Sequence, residues 1–117
     1  MSEGTDVIQA VIVRKDLDWP MGAICSQVSH ASNALWAQHG SDHPLLAQYT
    51  AEYEGMTTVV CGIATEEKLR NLAAKIAADE TLLSHLWVEQ PENIPSALAV
   101  IGVRDTVRSY TKRLKLL

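Results

Sequence analysis

Residues 7–39 read VIQAVIVRKDLDWPMGAICSQVSHASNALWAQH, and the change of pattern inside this stretch decides the fold. Residues 7–13 are apolar and rich in β-branched side chains with one polar interruption at Gln9, which suits a strand buried on both faces. The run stops at Arg14, Lys15 and Asp16. Pro20 forces extended backbone on Trp19 and, with Asp18 just upstream, opens a helix. Ile24, Val28, Ala31 and Leu35 then recur at intervals of 4, 3 and 4, one apolar helical face that packs on a sheet. His39 suits the negative end of that helix, and Gly40 is the usual residue just past a C-terminus.

The same reading extends to the rest of the chain. Asp42, His43 and Pro44 start a second helix with Leu45, Leu46, Tyr49 and Tyr53, ending at Gly55 and expected at the surface. Residues 57–63 (TTVVCGI) form a second strand. Thr65 caps a helix with Glu66 and Glu67 in its first turn, and Leu69, Leu72, Ala73, Ile76 and Ala77 keep the helical period. Residues 86–88 begin a third strand, residues 91–95 a loop and residues 97–103 (ALAVIGV) a fourth strand. A short helix from Asp105 carries basic residues. Strands alternating with helices predict a parallel or mixed sheet with helices on both faces. In such sheets sites lie at the carboxyl ends of strands, here residues 14–20, Thr65 and residues 89–94.

At 117 residues the chain is one domain, residues 1–117, and its 47% apolar and 21% charged composition supports a packed core. No apolar run approaches the roughly 20 residues that cross a bilayer, so no membrane association is expected. The opening MSEGTD has neither the signature of a secretory signal nor that of a transit peptide, so the expected location is cytoplasmic. Two cysteines, Cys25 and Cys61, are too few for a disulfide scaffold and are expected as buried, reduced thiols. The net charge of −4 disfavours a polyanionic partner overall, but it is unevenly placed. Arg104, Arg108, Lys112, Arg113 and Lys115 oppose only Asp105, a local +4 against −8 for residues 1–103, so a nucleic acid would have to use a local patch.

Few residues offer chemistry. Ala23, Gln27 and His30 are spaced by four and three, which places them on a face distinct from the apolar stripe. Two readings stand. Gln27 and His30 either point into a site as oxyanion donor and acid or base, or are a buried pair satisfied by neighbouring backbone, the commoner situation. His39 and His43 have a two-ligand spacing, but Gly40 and Pro44 break the helix that would align them, and no metal is expected. Residues 87–95 (WVEQPENIP) place Glu89, Gln90, Glu92 and Asn93 among two prolines at a strand end. Glu89 or Glu92 could activate a water that Gln90 or Asn93 orients, or these groups dress a rigid turn.

The order of these motifs resembles the archaeal and eukaryotic, or type 2, peptidyl-tRNA hydrolases. Its carriers are Val11 with the following Ile-Val-Arg-Lys-Asp-Leu, Met21-Gly22, the run from Gln27 to Ala31, and the closing Leu114, Lys115, Leu116 and Leu117. Trp19-Pro20, Asp42-His43-Pro44 and residues 86–94 tie it to the divergent branch of peptidyl-tRNA hydrolase domain-containing proteins. The resemblance spans residues 7–117. It implies a three-layer α/β/α sandwich around a four-stranded mixed sheet, and hydrolysis of the ester joining a peptide to the 3′ ribose of tRNA. It implies no metal or organic cofactor. Gly22, Gln27, His30 and Asp16 match the family pattern position by position, and Arg14 and Lys15 join Asp16, Gln90 and Asn93 as expected substrate contacts. The family lysine after the helix glycine is Ala23 here, and an Asp-Ala-Gly stretch with threonines gives way to residues 89–97. The implied alternatives are a hydrolase rebuilt around Glu89, Gln90, Glu92 and Asn93, or a catalytically weakened or inactive relative that acts as a binding module for tRNA or a protein partner. A homodimer is compatible with either.

Overall fold

The computed structural model describes residues 6–117 as a four-stranded sheet between two helical layers, a three-layer α/β/α sandwich. Residues 1–5, most of the segment read above for targeting signals, lie outside the described residues. The order along the chain is β1 (Val7–Arg14), α1 (Met21–His39), α2 (Pro44–Thr50), a 3-10 turn (Tyr53–Gly55), β2 (Thr58–Ile63), α3 (Glu66–Ala77), β3 (Leu83–Glu89), β4 (Ile94–Val103) and α4 (Arg104–Thr111). In space the strands run β2-β1-β4-β3, with β1 parallel to β2 and antiparallel to β4, and β4 antiparallel to β3. The carboxyl ends of β1, β2 and β3 and the start of β4 therefore gather at one edge.

β1 and β4 are central and buried on both faces, which explains their near-continuous apolar runs. Ile8, Ala10 and Ile12 face α3 and α4 with Leu69, Ile76 and Val107, while Val11 and Val13 face α1 and α2 with Ala31, Leu35 and Leu46. β3 is an edge strand with every residue half-buried, so its first residues, Leu83 to His85, lack the apolar pattern that marks residues 86–88 in the sequence.

Two local expectations, the end of α2 and the burial of Cys25, are corrected. α2 ends at Thr50 and not at Gly55; its outer side, with Pro44, Ala47 and Gln48, is exposed, while Leu46 and Tyr49 are buried against the sheet and Tyr53 lies exposed in the turn that follows. Its start is capped by His43, whose Nδ1 accepts the Leu45 N–H at 3.2 Å, so that ring serves the backbone. α1 starts where Pro20 placed it, with Pro20 as the N-cap residue and no side-chain bond to the first turn. Cys25 is exposed on α1, whereas Cys61 is buried in β2, where burial raises its thiol pKa.

Candidate active site at the carboxyl edge of the sheet

Arg14, the last residue of β1, ties this edge together. Its guanidinium donates to both carboxylate oxygens of Asp16 at 3.0 and 2.9 Å, to Glu66 at the start of α3 at 3.4 Å, and to the Pro95 carbonyl of β4 at 3.1 Å. The bidentate bond to Arg14 holds the Asp16 carboxyl below the usual carboxylate range, and Asp16 in turn raises the Arg14 pKa. Both residues thus direct their polar atoms at the protein itself. Lys15 is exposed, and its methylene stem lies across Gly62 of β2, where an added Cβ would fall 2.4 Å from Lys15 Cδ. Gly62 alternates with Cys61 and Ile63 and so shares the α1 face of the sheet with Val60.

The other half of the site comes from a break in the β3–β4 register. Trp87 pairs with Ala97, but Val88 pairs with Pro95, so Ser96 is an extra residue without an opposite partner. The irregularity frees its fully buried hydroxyl to donate to Gln27 Oε1 at 2.5 Å. Gln27 is itself 2% exposed, in line with Ala31 and Leu35. The buried line of α1 therefore runs through Gln27 instead of leaving it on a separate polar face. Its satisfying partner is a side chain 69 residues away, not neighbouring backbone. His30, the other member of the expected pair, is exposed.

His30 meets the opposite strand through an aromatic contact. Its ring stacks on Trp87, centroids 4.9 Å apart and planes 30° apart, and the Trp87 Nε1–H donates to Glu89 Oε1 at 3.0 Å. Glu89 is half-buried at the end of β3, with one carboxylate oxygen fixed by the indole. Beyond it the hairpin loop closes on itself: Gln90 Nε2 donates to Asn93 Oδ1 at 3.3 Å, and Asn93 takes the left-handed conformation, φ 60°, that asparagine tolerates well. Glu92 is exposed at the loop tip. Gly22 lies in the exposed first turn of α1, and a Cβ there would meet nothing within 4 Å.

The structure thus links Gln27 to Ser96, His30 to Glu89 through Trp87, and Arg14 to Asp16. Sequence reasoning missed Ser96 and the structural part of Trp87. The only signal for Ser96 was a lone hydroxyl between Pro95 and an apolar strand.

A helix N-terminus and a buried amide fixed at one atom can donate to a developing negative charge, and a carboxylate fixed at one oxygen can hold a water with the other. Comparison with known proteins gives the class: the family model described as peptidyl-tRNA hydrolase PTH2 matches residues 7–117, and the chain belongs to that family. The mouse protein named "Putative peptidyl-tRNA hydrolase PTRHD1" is 36% identical, covering 94% of this chain and 81% of the mouse protein, and its human counterpart of the same name is 35% identical over the same shares. The "Peptidyl-tRNA hydrolase" of the archaeon Methanococcus vannielii is 28% identical, covering 93% of this chain and 97% of its own length. No helix among the described residues is long and apolar enough to cross a membrane.

Proposed function

We propose that this chain hydrolyses the ester between a peptide, or an N-blocked amino acid, and the 3′ ribose of tRNA, at the edge where β1 to β3 end. The observation that carries the reading is the Ser96–Gln27 bond. With Oε1 fixed by the serine, the Gln27 amide has a set orientation, and its Nε2 is the donor for the oxyanion that forms at the ester carbonyl. The first turn of α1, open at Gly22 and without a side-chain cap, supplies backbone N–H groups to the same charge.

Glu89 is the general base. The indole bond orients Oε1 and leaves Oε2 for a water, whose proton passes to the carboxylate as its oxygen attacks the carbonyl carbon. Collapse of the tetrahedral intermediate breaks the bond to the ribose 3′ oxygen, which receives the proton from Glu89.

The test is release of N-acetylated amino acid from acyl-tRNA by the wild type, Glu89→Gln, Gln27→Leu and Ala23→Lys. Turnover in the wild type that Glu89→Gln and Gln27→Leu each lower by about 100-fold or more supports the reading. Ala23, where the family carries lysine, favours a second reading, a binding module that retains the scaffold. Turnover that appears only in Ala23→Lys would establish that one.

A further inference from the structure

Beside the catalytic groups, β3 and α1 border a shallow, open groove of about 450 Å³. Leu83 and Trp87 point to the α1 side of the sheet, so His85 between them does too. His85 lies 6.4 Å from Trp87, on whose indole His30 stacks, so three rings from two elements share one wall. Ala34 and Ala37 follow His30 at helical spacing and keep the α1 side of the groove low enough for a flat ring to enter. Asn33 and Gln38 add amides at its rim, and Gln38 Oε1 lies 2.7 Å from His85 Nδ1, fixing that ring. Burial, and the charge of His39 nearby, lower the His85 pKa and favour its neutral form. Among the described residues, no carboxylate, lysine or arginine lines the groove.

Stacking faces, amides that can read polar edges and the absence of charge are the chemistry of an unpaired nucleobase, not of a phosphate. We propose that this groove is the platform on which the unpaired CCA end of tRNA stacks. The inference rests on the hydrolase reading for the identity of its occupant. Its position supports it: Trp87, which carries the base, also orients Glu89, so the terminal base and the ester are held by neighbouring residues of one strand. Aromatic residues interleave too sparsely with the basic C-terminal tract to form such a platform, whereas the fold assembles one from residues 30, 85 and 87.

Calorimetric titration of the full chain with the ribotrinucleotide CCA tests this without ester chemistry. Loss of a stacking ring is expected to weaken binding by about 5-fold to 100-fold in Trp87→Ala and in His30→Ala, the latter an exposed position that leaves folding undisturbed. Trp87→Phe keeps a ring but loses the bond to Glu89, so it should bind the trinucleotide within about threefold of the wild type while releasing amino acid more slowly. A trinucleotide abasic at its 3′ residue should bind as weakly to the wild type as the intact one does to Trp87→Ala. Absence of saturable CCA binding, equal binding by both alanine variants, or displacement of CCA from Trp87 by N-acetyltryptophanamide at lower concentration would overturn the proposal. Ester release by the wild type together with equal CCA binding by the variants would sink the platform and leave the hydrolase standing. Ring-dependent CCA binding with no ester release would do the reverse.

Discussion

Replacing Ser96 by alanine removes one hydroxyl and should have two separable consequences. The Gln27 oxygen it serves is buried, and with the serine gone that acceptor has no donor from the β3–β4 irregularity. An unsatisfied buried acceptor costs about 1–3 kcal/mol. At about 4 °C per kcal/mol for a domain of this length, a loss of ~2 kcal/mol lowers Tm by ~8 °C. Gln27→Leu should destabilise as well, because it strands the Ser96 hydroxyl, but the double variant removes both partners at once. Chemical unfolding of all four proteins should therefore give a coupling energy of about 1–3 kcal/mol, the double variant being more stable than the sum of the singles. Kinetically, Ser96→Ala releases the amide that Gln27 aims, so kcat should fall while KM stays near its original value. Strict additivity within ~0.5 kcal/mol would refute the claim that this bond holds Gln27. An unchanged kcat would refute its role in aiming the donor.

The remaining predictions follow from the same edge of the sheet. Lys15→Met should change both kcat and stability little, because the side chain is exposed and its stem rests on Gly62 of β2, the sheet edge opposite Glu89; single-turnover kinetics decides this. Asp16→Asn should cost under ~1 kcal/mol, since the Asp16 side chain is 38% exposed and its pair with Arg14 is screened. Because Arg14 lowers the Asp16 pKa on folding, that contribution is present above about pH 4 and is lost as pH falls through the folded value, so the gap between wild type and variant in urea melts should close in acid. Iodoacetamide at neutral pH should label Cys25 in the native protein and Cys61 only after unfolding, which peptide mapping would resolve.

Much of the candidate site was legible as residue types in the right segments. Gln27, His30 and Glu89 were marked by their spacing or by their place at a strand end, and the loops expected to carry chemistry do meet at one edge. Their relations were not legible. Gln27 was read on a polar face because its spacing groups it with Ala23 and His30, yet the structure buries it on the line of Ala31 and Leu35, where a distant hydroxyl satisfies its oxygen. Arg14 and Asp16 were read as substrate contacts, and their mutual bond, together with Glu66 and Pro95, depends on where α3 and β4 come to rest.

The sequence by itself determined the elements and the layers. Helical and strand periods, the Thr65 cap and the Gly40 stop depend on neighbours within about a turn, and such short-range preferences survive without knowledge of the rest of the chain. Only the tertiary structure decided that β4 runs between β1 and β3, that a one-residue shift in its register releases Ser96 toward Gln27, and that His30 stacks on Trp87. The buried or exposed fate of Cys25 and α2 was settled in the same way. Each of these depends on packing between residues tens of positions apart, where one residue of register reverses the face a side chain takes, and no local pattern encodes that choice.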